Sequence, residues 1–383
     1  MDFIKQELKD LQSNSLFRTL RTVDGPQSRK VVIDGQEYIS FCSNNYLDIA
    51  NHPEITDAVI DAVRKYGWGA GASMLVSGNM TLHRQLEKEI AQFKKTEDAI
   101  VFPTGFMANA GTISSIVGNG DLIISDRLNH ASIVEGCKLS KATFRVYAHC
   151  DIVRLEKILK RAKGFRRILI VTDSVFSMDG DIAPLKDIFP IAEEYNAMVM
   201  VDEAHATGVF GESGRGALEA LGLEHKADIV MGTLSKAVGG MGGFVCGSHD
   251  LVNYLRNKAK SFIYTTALPP AVCAASIAGL KLIRRRGELR TSLWKNINYF
   301  RERLNERKIN CGNSHGPIIP IIIGDLEKTN KIAEILFENG ILAPAIRPPT
   351  VPQGSSRIRV TIMSSHTKDD IDKFINTLFN VTI

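Results

Sequence analysis

The sequence predicts an α/β protein in which a large domain holds a mainly parallel, seven-stranded sheet and a smaller α+β domain forms the C-terminal part. Short β-rich runs recur from about residue 99, helical patterns lie between several of them, and the pattern changes after about residue 271. Strands that alternate with helices form mainly parallel sheets covered by helices. The expected division is an N-terminal helical segment 1–36, a large domain 37–278 and a small domain 279–383.

Each predicted element rests on the period of its apolar residues. An N-terminal helix that packs on a larger body is predicted by the spacing of Phe3, Ile4, Leu8 and Leu11. The strands of the large domain are expected at 99–102, 122–125, 144–148, 168–172, 198–202, 229–232 and 244–247, with a helix over 152–162. The small domain is expected to hold a long helical region after residue 271, strand-like segments at 317–323 and 357–362, and a closing helix from Lys368.

Composition excludes several classes of function. The 383 residues are 44% hydrophobic, and 47 basic against 42 acidic residues leave a net charge of +5, too dilute to indicate a nucleic-acid-binding surface. The six cysteines are scattered singly, so neither a disulfide framework nor a metal site is expected. The apolar runs are too short to cross a membrane, and acidic residues near the N-terminus argue against a targeting segment. We therefore expect a cytoplasmic protein with no membrane and no nucleic-acid partner.

Asp202 and His205 lie three residues apart at the end of a strongly apolar run. Ligands of open α/β sheets bind at the carboxyl ends of strands, so this pair is a candidate for chemistry. The letters DEAH (202–205) also spell a helicase box, but that interpretation requires an upstream phosphate loop with a Gly-Lys dipeptide, which the sequence lacks. Taken alone, the pair could equally be structural and bond only to the backbone.

Lys236 gives this pair a chemical partner. It follows the apolar run 229–232 and precedes a run of glycines that let the backbone approach a ligand closely. A lysine that forms an imine, an aspartate for a protonated pyridine nitrogen and a nearby histidine together indicate pyridoxal phosphate chemistry. The phosphate is expected at the amides of Gly105 and Phe106, where a helix opens after a strand. The predicted cofactor set is completed by the hydroxyls of Ser177, Thr233 and Ser235 and the ring of His130.

Six segments together resemble the α-oxoamine synthases, a family of fold-type-I pyridoxal-phosphate-dependent transferases. They are SNNYL (43–47), FPTGFMAN (102–109), NHAS (129–132), VFSMDG (175–180), DEAH (202–205) and TLSK (233–236). The resemblance runs almost from end to end and implies an enzyme that condenses an amino acid with an acyl thioester and releases carbon dioxide. The segment AIRPPTVP (345–352) resembles the members of the biotin pathway, which implies L-alanine and either pimeloyl-CoA or a pimeloyl-acyl carrier protein as substrates.

The resemblance also implies a role for each matching residue. In the implied catalytic set, Lys236 holds pyridoxal 5'-phosphate covalently and moves the substrate proton, Asp202 pairs with the pyridine nitrogen, His205 bonds the ring hydroxyl and His130 stacks on the ring. The matching cofactor contacts are Gly105, Phe106, Ser177, Thr233, Thr265 and Thr266. The last two match a segment that reaches a partner's cofactor, which implies a homodimer with active sites at the subunit interface. The matching substrate contacts are Arg18, Asn44, His130, Arg347, Thr350 and Arg359, with Arg359 on the amino-acid carboxylate.

Several alternatives stay open. A glycine C-acetyltransferase or another α-oxoamine synthase is the leading alternative, and a non-catalytic partner subunit of the same fold belongs to another class, against which Lys236 argues. The loop 67–71 is not a dinucleotide loop, because a helical pattern precedes it. The arginine run 284–286 is expected to be a solvated helix end, with docking of an acyl carrier protein as a weaker hypothesis. Departures from the family pattern at Asn45, Asp48 and Met74 concern details of acyl recognition.

Overall fold

The computed structural model describes residues 1–382, which form two compact units. The larger unit comprises Ile49–Ser177 and Asp181–Arg290; the smaller one comprises Met1–Asp48, Met178–Gly180 and the chain from Thr291 onward. The three-part division expected from the sequence stays a prediction. Among the helices of residues 1–382, none is both long enough and apolar enough for a bilayer span.

The strands and helices follow one another along the whole chain. The strands are β1 Lys30–Ile33, β2 Gln36–Ser40, β3 Asp98–Phe102, β4 Leu122–Asp126, β5 Thr143–Tyr147, β6 Ile168–Asp173, β7 Met198–Asp202, β8 Ile229–Thr233, β9 Gly243–Gly247, β10 Ile318–Gly324, β11 Ile341–Leu342, β12 Ala345–Ile346 and β13 Ser356–Thr361. The helices are α1 Asp2–Ser13, α2 Pro53–Tyr66, α3 Thr81–Lys94, α4 Gly105–Ile116, α5 Ala131–Leu139, α6 Ile152–Leu159, α7 Leu185–Glu194, α8 Ala217–Leu221, α9 His249–Lys258, α10 Lys260–Ile263, α11 Pro270–Arg285, α12 Gly287–Glu306, α13 Leu326–Glu338 and α14 Lys368–Thr382, with a π-helical turn at Met74–Gly78.

The larger unit contains a sheet in which the described residues form seven strands in the order β3-β9-β8-β7-β6-β4-β5. All neighbours pair in parallel except β9, which is antiparallel to β3 and β8. The central strands are apolar on both faces because helices cover both sides. Their side chains join those of the covering helices in one core cluster, which includes Ile123, Leu169, Met200, Met231 and Phe262. The predicted mainly parallel seven-stranded sheet is therefore confirmed.

The smaller unit has two three-stranded sheets, β1-β2-β11 and β10-β13-β12. Its core contains three aromatic rings, Phe41, Phe300 and Phe374. The strand-like segments near 317–323 and 357–362 and the closing helix from Lys368 are present as β10, β13 and α14. The hairpin of β1 and β2 was not predicted, although its turn residues, Asp34 and Gly35, carry a signal: both have the positive φ of a tight hairpin turn.

The N-terminal helix exists as α1, but its expected packing on a larger body is wrong. None of the residues of α1 is buried within the described chain, and Phe3 is 64% exposed. The apolar stripe that predicted the helix therefore faces solvent in the single chain.

Candidate active site

The carboxyl ends of β3, β6, β7 and β8 border a cavity of about 260 Å³ in the larger unit. This volume is near the lower limit of small-molecule sites, which is about 300 Å³. The lining residues are Thr104, Gly105, Phe106, Asn109, His130, Ser132, Asp173, Asp202, Ala204, His205, Met231, Thr233, Ser235 and Lys236. Most of the residues that the sequence predicted for the cofactor thus line one cavity.

Asp202 is the last residue of β7, which β6 and β8 hold on both sides. Its carboxylate is buried and accepts two hydrogen bonds, one from the Ala204 amide at 2.8 Å and one from Asn109 Nδ2 at 2.7 Å. These bonds fix the orientation of the carboxylate, so it presents a defined negative charge to the cavity.

Lys236 and His205 form a close pair at the same cavity. Lys236 follows the end of β8 by three residues and is half-buried, and its Nζ lies 2.8 Å from Nε2 of the buried His205. The two side chains come from the loops after β8 and β7, which are adjacent strands. The sequence signals for Asp202, His205 and Lys236 therefore converge in space, as predicted.

The N-terminus of α4 supplies backbone donors to the cavity wall. Thr104 caps this twelve-residue helix, since its Oγ1 accepts the Met107 amide hydrogen at 3.1 Å. The amides of Gly105 and Phe106 belong to the first turn of the helix, where backbone N–H groups have no partner within the helix. A Cβ on Gly105 would lie 3.1 Å from Met231 Cε and 3.5 Å from Thr233 Oγ1, so the glycine keeps this corner of the cavity open.

His130 caps α5 and belongs to a hydrogen-bonded chain that ends at Asp202. Its Nδ1 lies 2.7 Å from Ser132 Oγ, which accepts Asn109 Nδ2 at 2.9 Å, and Asn109 also donates to Asp202. Burial lowers the pKa of His130, the Asp202 charge opposes this shift and the Lys236 charge reinforces it. The ring is therefore neutral near pH 7.

Asp173 is a cavity residue that the sequence analysis missed. It ends β6 directly beside Asp202 in the sheet register, and its Oδ2 accepts the backbone N–H of His130 at 2.7 Å. Burial and the neighbouring Asp202 charge raise the pKa of Asp173 well above its ordinary value. The visible signal was an acidic residue directly after the apolar run 168–172, the same signal that identified Asp202.

Glu203 has a structural role, although it adjoins Asp202 in sequence. Its carboxylate lies 2.8 Å from Lys94 Nζ, with side-chain exposures of 1% and 3%. It also accepts the Leu218 amide hydrogen at 2.8 Å, and Lys94 donates to Thr207 Oγ1 at 2.9 Å. The pair ties the loop after β7 to α3.

His149 lies between two carboxylates near the carboxyl end of β4. Its Nδ1 is 3.0 Å from Asp126 Oδ1, and its Nε2 is 2.6 Å from Asp181 Oδ2. Burial works against the charged ring, but the hydrogen bonds to both carboxylates outweigh it and raise the pKa of His149 to about 12. Asp126, His149 and Cys150 have ligand atoms close enough for a metal ion. Because both ring nitrogens already donate to carboxylates, we interpret the cluster as an ion cluster that braces the turn before His130.

Of the predicted substrate residues, His130 lines the cavity of the larger unit, and the other five lie in the smaller unit, where they form two groups. Arg18 donates to Thr350 Oγ1 at 3.3 Å, and Arg347 donates to the carbonyls of Ser15 and Phe17 at 2.8 and 2.6 Å. These hydrogen bonds hold the segment after α1 against the segment 345–352.

Arg359 and Asn44 form the second group. Arg359 lies in β13 with only 8% of its surface exposed, and it donates to Asn44 Oδ1 at 3.3 Å. Tyr46 donates to the same oxygen at 3.1 Å. Burial raises the pKa of Tyr46 to about 12, although the nearby positive charge of Arg359 acts to lower it.

Three predicted cofactor residues lie outside the cavity lining formed by the described chain. Ser177 is buried in the segment after β6. Thr265 and Thr266 lie next to the strongly exposed Tyr264, and Thr266 pairs with Ser73. The roles of all three stay predictions.

The departures from the family pattern have local explanations. Met74 packs against the core cluster of the larger unit. Asp48 has a φ of +52°, a conformation that glycine adopts without strain, and its carboxylate accepts hydrogen bonds from Ser28, Asn45 and Ser365. These hydrogen bonds stabilise Asp48 in a backbone conformation that glycine would adopt without them.

The donor set of the cavity fits a phosphorylated pyridine aldehyde. Lys236 offers an amine, Asp202 a fixed carboxylate for a protonated ring nitrogen, and the start of α4 offers amides to a phosphate. The opening kept by Gly105 provides space beside those amides. Fold and cavity together define a protein of the pyridoxal phosphate class.

The chain belongs to the aminotransferase class I and II family, whose model matches residues 36–378. Among curated relatives, it is 47% identical to the 8-amino-7-oxononanoate synthase of Geotalea daltonii, over 100% of this chain and 98% of the relative. It is 45% identical to the synthase of the same name from Thermoanaerobacter pseudethanolicus, over 97% of this chain and 94% of the relative. These matches confirm the resemblance to α-oxoamine synthases.

Solved structures agree with this assignment. Serine palmitoyltransferase from S. paucimobilis, solved with bound pyridoxal phosphate and myriocin, superposes with a TM-score of 0.94 at 32% identity, covering 99% of this chain and 96% of that one. The 8-amino-7-oxononanoate synthase from Francisella tularensis superposes with a TM-score of 0.79 at 31% identity, covering 90% and 97% of the two chains.

Proposed function

We propose that the protein joins L-alanine to a pimeloyl thioester, releasing carbon dioxide and forming 8-amino-7-oxononanoate with pyridoxal 5'-phosphate as cofactor. The observation that carries the proposal is identity of 43–47% over nearly the full chain to relatives named for this reaction. The cavity around Lys236 and Asp202 supports it, because it has the chemical groups that the cofactor requires.

The cofactor, when bound, supplies an electron sink that stabilises negative charge at the α-carbon of alanine. Asp202 keeps the ring nitrogen protonated: a carboxylate next to a cation raises the pKa of that cation by about 1–3 units, equivalent to about 1.4–4 kcal/mol. Lys236 anchors the cofactor, and its amine, once released, is the group that takes and returns the proton at the α-carbon. His205, whose Nε2 lies 2.8 Å from that amine, orients it and would hold the cofactor's ring hydroxyl.

The remaining cavity residues position the cofactor. The amides of Gly105 and Phe106 and the hydroxyl of Thr233 would hold the phosphate. His130 would contact the cofactor ring as a neutral imidazole, and Asp173 holds it in place through its backbone and Ser132 through its ring. A neutral ring packs on the cofactor without opposing the positive charge that Asp202 maintains.

The arginines of the smaller unit are our candidates for the substrates. Arg359, fixed by Asn44, presents the planar donor group that suits the carboxylate of alanine. Arg18, Arg347 and Thr350 are the candidates for the acyl substrate.

A homodimer is part of the proposal, and exposed apolar side chains support it. Trp68, Leu75, Val76 and Tyr264 are 58–80% exposed. Tyr264 precedes the predicted partner-facing residues Thr265 and Thr266, and Thr266 pairs with Ser73, which lies in the same segment as the other three. Sedimentation velocity is expected to give twice the mass of the chain; a monomer at micromolar concentration would contradict this part of the proposal. The cytoplasmic location stays a prediction of the sequence.

The substrate pair is tested by adding L-alanine, glycine and L-serine separately to the loaded enzyme, each with pimeloyl-CoA or acetyl-CoA, and measuring carbon dioxide release. We expect the fastest release from L-alanine with the pimeloyl thioester. Faster release from glycine with acetyl-CoA would favour the glycine C-acetyltransferase alternative, and no release from any pair would favour a non-catalytic subunit.

A further inference from the structure

A groove runs along β5, the edge strand of the seven-stranded sheet. Its volume is about 790 Å³, against about 260 Å³ for the cofactor cavity. One wall is formed by residues 145–148, at the end of β5 and just after it, and the other by α6 with the residues that follow it as far as Phe165. We call it the basic groove.

Five cationic side chains line the basic groove, and its lining includes no acidic residue. They are Arg127, Arg145, Arg154, Lys157 and Arg161. Arg154 reaches Asp151 only at 4.0 Å, and within residues 1–382 no ion pair engages the other four. Like charges gathered without counter-charges repel one another, so the groove attracts an anionic partner.

The arginine run 284–286 has a different environment. Arg284 pairs with Glu89, Arg285 with Glu54 and Arg286 with Glu288. Each arginine of this run thus has a carboxylate partner, so its charge is locally balanced. Docking of a carrier protein at this run stays the weaker hypothesis. The basic groove, by contrast, gathers cations that have no close carboxylate partner.

The basic groove is also partly apolar. Val146, Ile158 and Phe165 contribute to its lining, and Val146 is 45% exposed. A lining that combines apolar and cationic side chains suits an amphipathic acidic helix. Arg154 and Lys157 lie three residues apart on α6 and so share one face of the helix, and Arg161 follows two residues after the helix ends. Three cations in this short segment can meet several carboxylates of a partner helix.

A residue of the basic groove lies close in sequence to a residue of the cofactor cavity. Arg127 follows β4 directly, and His130, three residues later, lines the cavity. Three residues span at most about 11 Å. A partner held in the groove is therefore within reach of the cavity through a flexible arm.

We propose that the basic groove docks the acidic surface of a carrier protein that delivers the acyl thioester on such an arm, an inference that rests on the proposed function. Charge complementarity makes this contact act mainly on the encounter and on the affinity for the carrier, and leaves the chemistry at Lys236 unchanged. A free coenzyme A thioester lacks the protein surface and does not need the groove.

The test is the charge reversal Arg154→Glu/Lys157→Glu in the loaded enzyme. Both side chains are exposed, and neither lines the cofactor cavity. The variant is therefore expected to fold and to keep its cofactor absorbance. The matched control is Lys141→Glu/Lys163→Glu, which changes the same charge at exposed residues of the same region outside the groove lining.

We expect the KM for the pimeloyl-carrier protein thioester to rise about ten-fold or more in the groove variant, with kcat and the KM for pimeloyl-CoA unchanged. The control variant should match the wild type with both thioesters. An unchanged KM for the carrier-bound substrate overturns the proposal. An equal rise for pimeloyl-CoA overturns it as well, because the groove would then bind the nucleotide.

Binding measured without turnover separates the two proposals. Titration calorimetry of the loaded enzyme with the carrier protein should show binding that the groove variant weakens about ten-fold. Turnover with pimeloyl-CoA alone and no carrier binding overturns the docking proposal and leaves the proposed function intact. Groove-dependent carrier binding without turnover of any pimeloyl thioester supports docking and removes the proposed function.

Discussion

Replacing Lys94 by methionine removes the cation from the buried ion pair with Glu203. The two side chains are 3% and 1% exposed, and their charged atoms are 2.8 Å apart. Methionine fills a similar volume, so the main effect is an unpaired carboxylate in the interior. Breaking a buried pair in this way costs about 3–5 kcal/mol, because the remaining charge has lost its partner and cannot regain water.

The other hydrogen bonds of Lys94 indicate a loss of stability in the upper part of this range of about 3–5 kcal/mol. Lys94 also donates to Thr207 Oγ1 and to the Arg215 carbonyl, and both acceptors lose this donor in Lys94→Met. The double variant Lys94→Met/Glu203→Gln removes both charges and is expected to recover about 1–2 kcal/mol of the loss, since no ion then remains buried.

The assay is equilibrium urea unfolding followed by circular dichroism and by tryptophan fluorescence. The matched control is Lys138→Met, which breaks the exposed pair of Lys138 with Glu135 at the same distance of 2.8 Å. Exposed pairs contribute about 1 kcal/mol or less, so this control should unfold nearly as the wild type does. A Lys94→Met variant no less stable than the control would refute the reasoning that burial gives the pair its importance.

Three further predictions concern the site. Lys236→Ala is expected to lower carbon dioxide release from L-alanine and pimeloyl-CoA to the uncatalysed background, because the covalent anchor and the proton-transferring amine are both lost; measurable turnover would remove Lys236 from the mechanism. Arg359→Lys is expected to raise the KM for L-alanine about ten-fold to a hundred-fold, since losing a charge-assisted bond costs about 1.5–3 kcal/mol; an unchanged KM would assign the carboxylate to another residue. The folded pKa of His149, about 12, lies above its ordinary value of 6.5, so its stabilising effect is complete below pH 6.5 and is lost as the pH rises toward 12. The advantage of wild type over His149→Asn in urea unfolding should therefore shrink between about pH 7 and pH 10, by at most about 1.4 kcal/mol per pH unit; an advantage that does not change with pH would contradict the charged ring.

The strands that surround the site could be predicted because their apolar runs are short, β-rich and bounded by polar residues. Buried parallel strands such as β7 must be apolar on both faces, so a carboxylate at the end of the run is conspicuous. The same argument applied to β6 would have found Asp173. It was missed because no chemical role was assigned to a second acid beside Asp202.

Other features could not be read from the sequence, because they depend on contacts between distant segments. Glu203 and Asp202 are adjacent in sequence, yet alternation along the chain sends one to an ion pair with Lys94 and the other to the cavity. The apolar stripe of α1 correctly predicted a helix but not what covers it, since hydrophobic periodicity does not specify the partner surface.

Reduction of the pyridoxal phosphate-loaded protein with borohydride, followed by mass spectrometry of its peptides, identifies directly the lysine that holds the cofactor. We expect a phosphopyridoxyl group on the peptide that contains Lys236, and no label after Lys236→Ala. A label on another lysine, or none on the wild type, would contradict the central claim that this amine holds the cofactor beside Asp202.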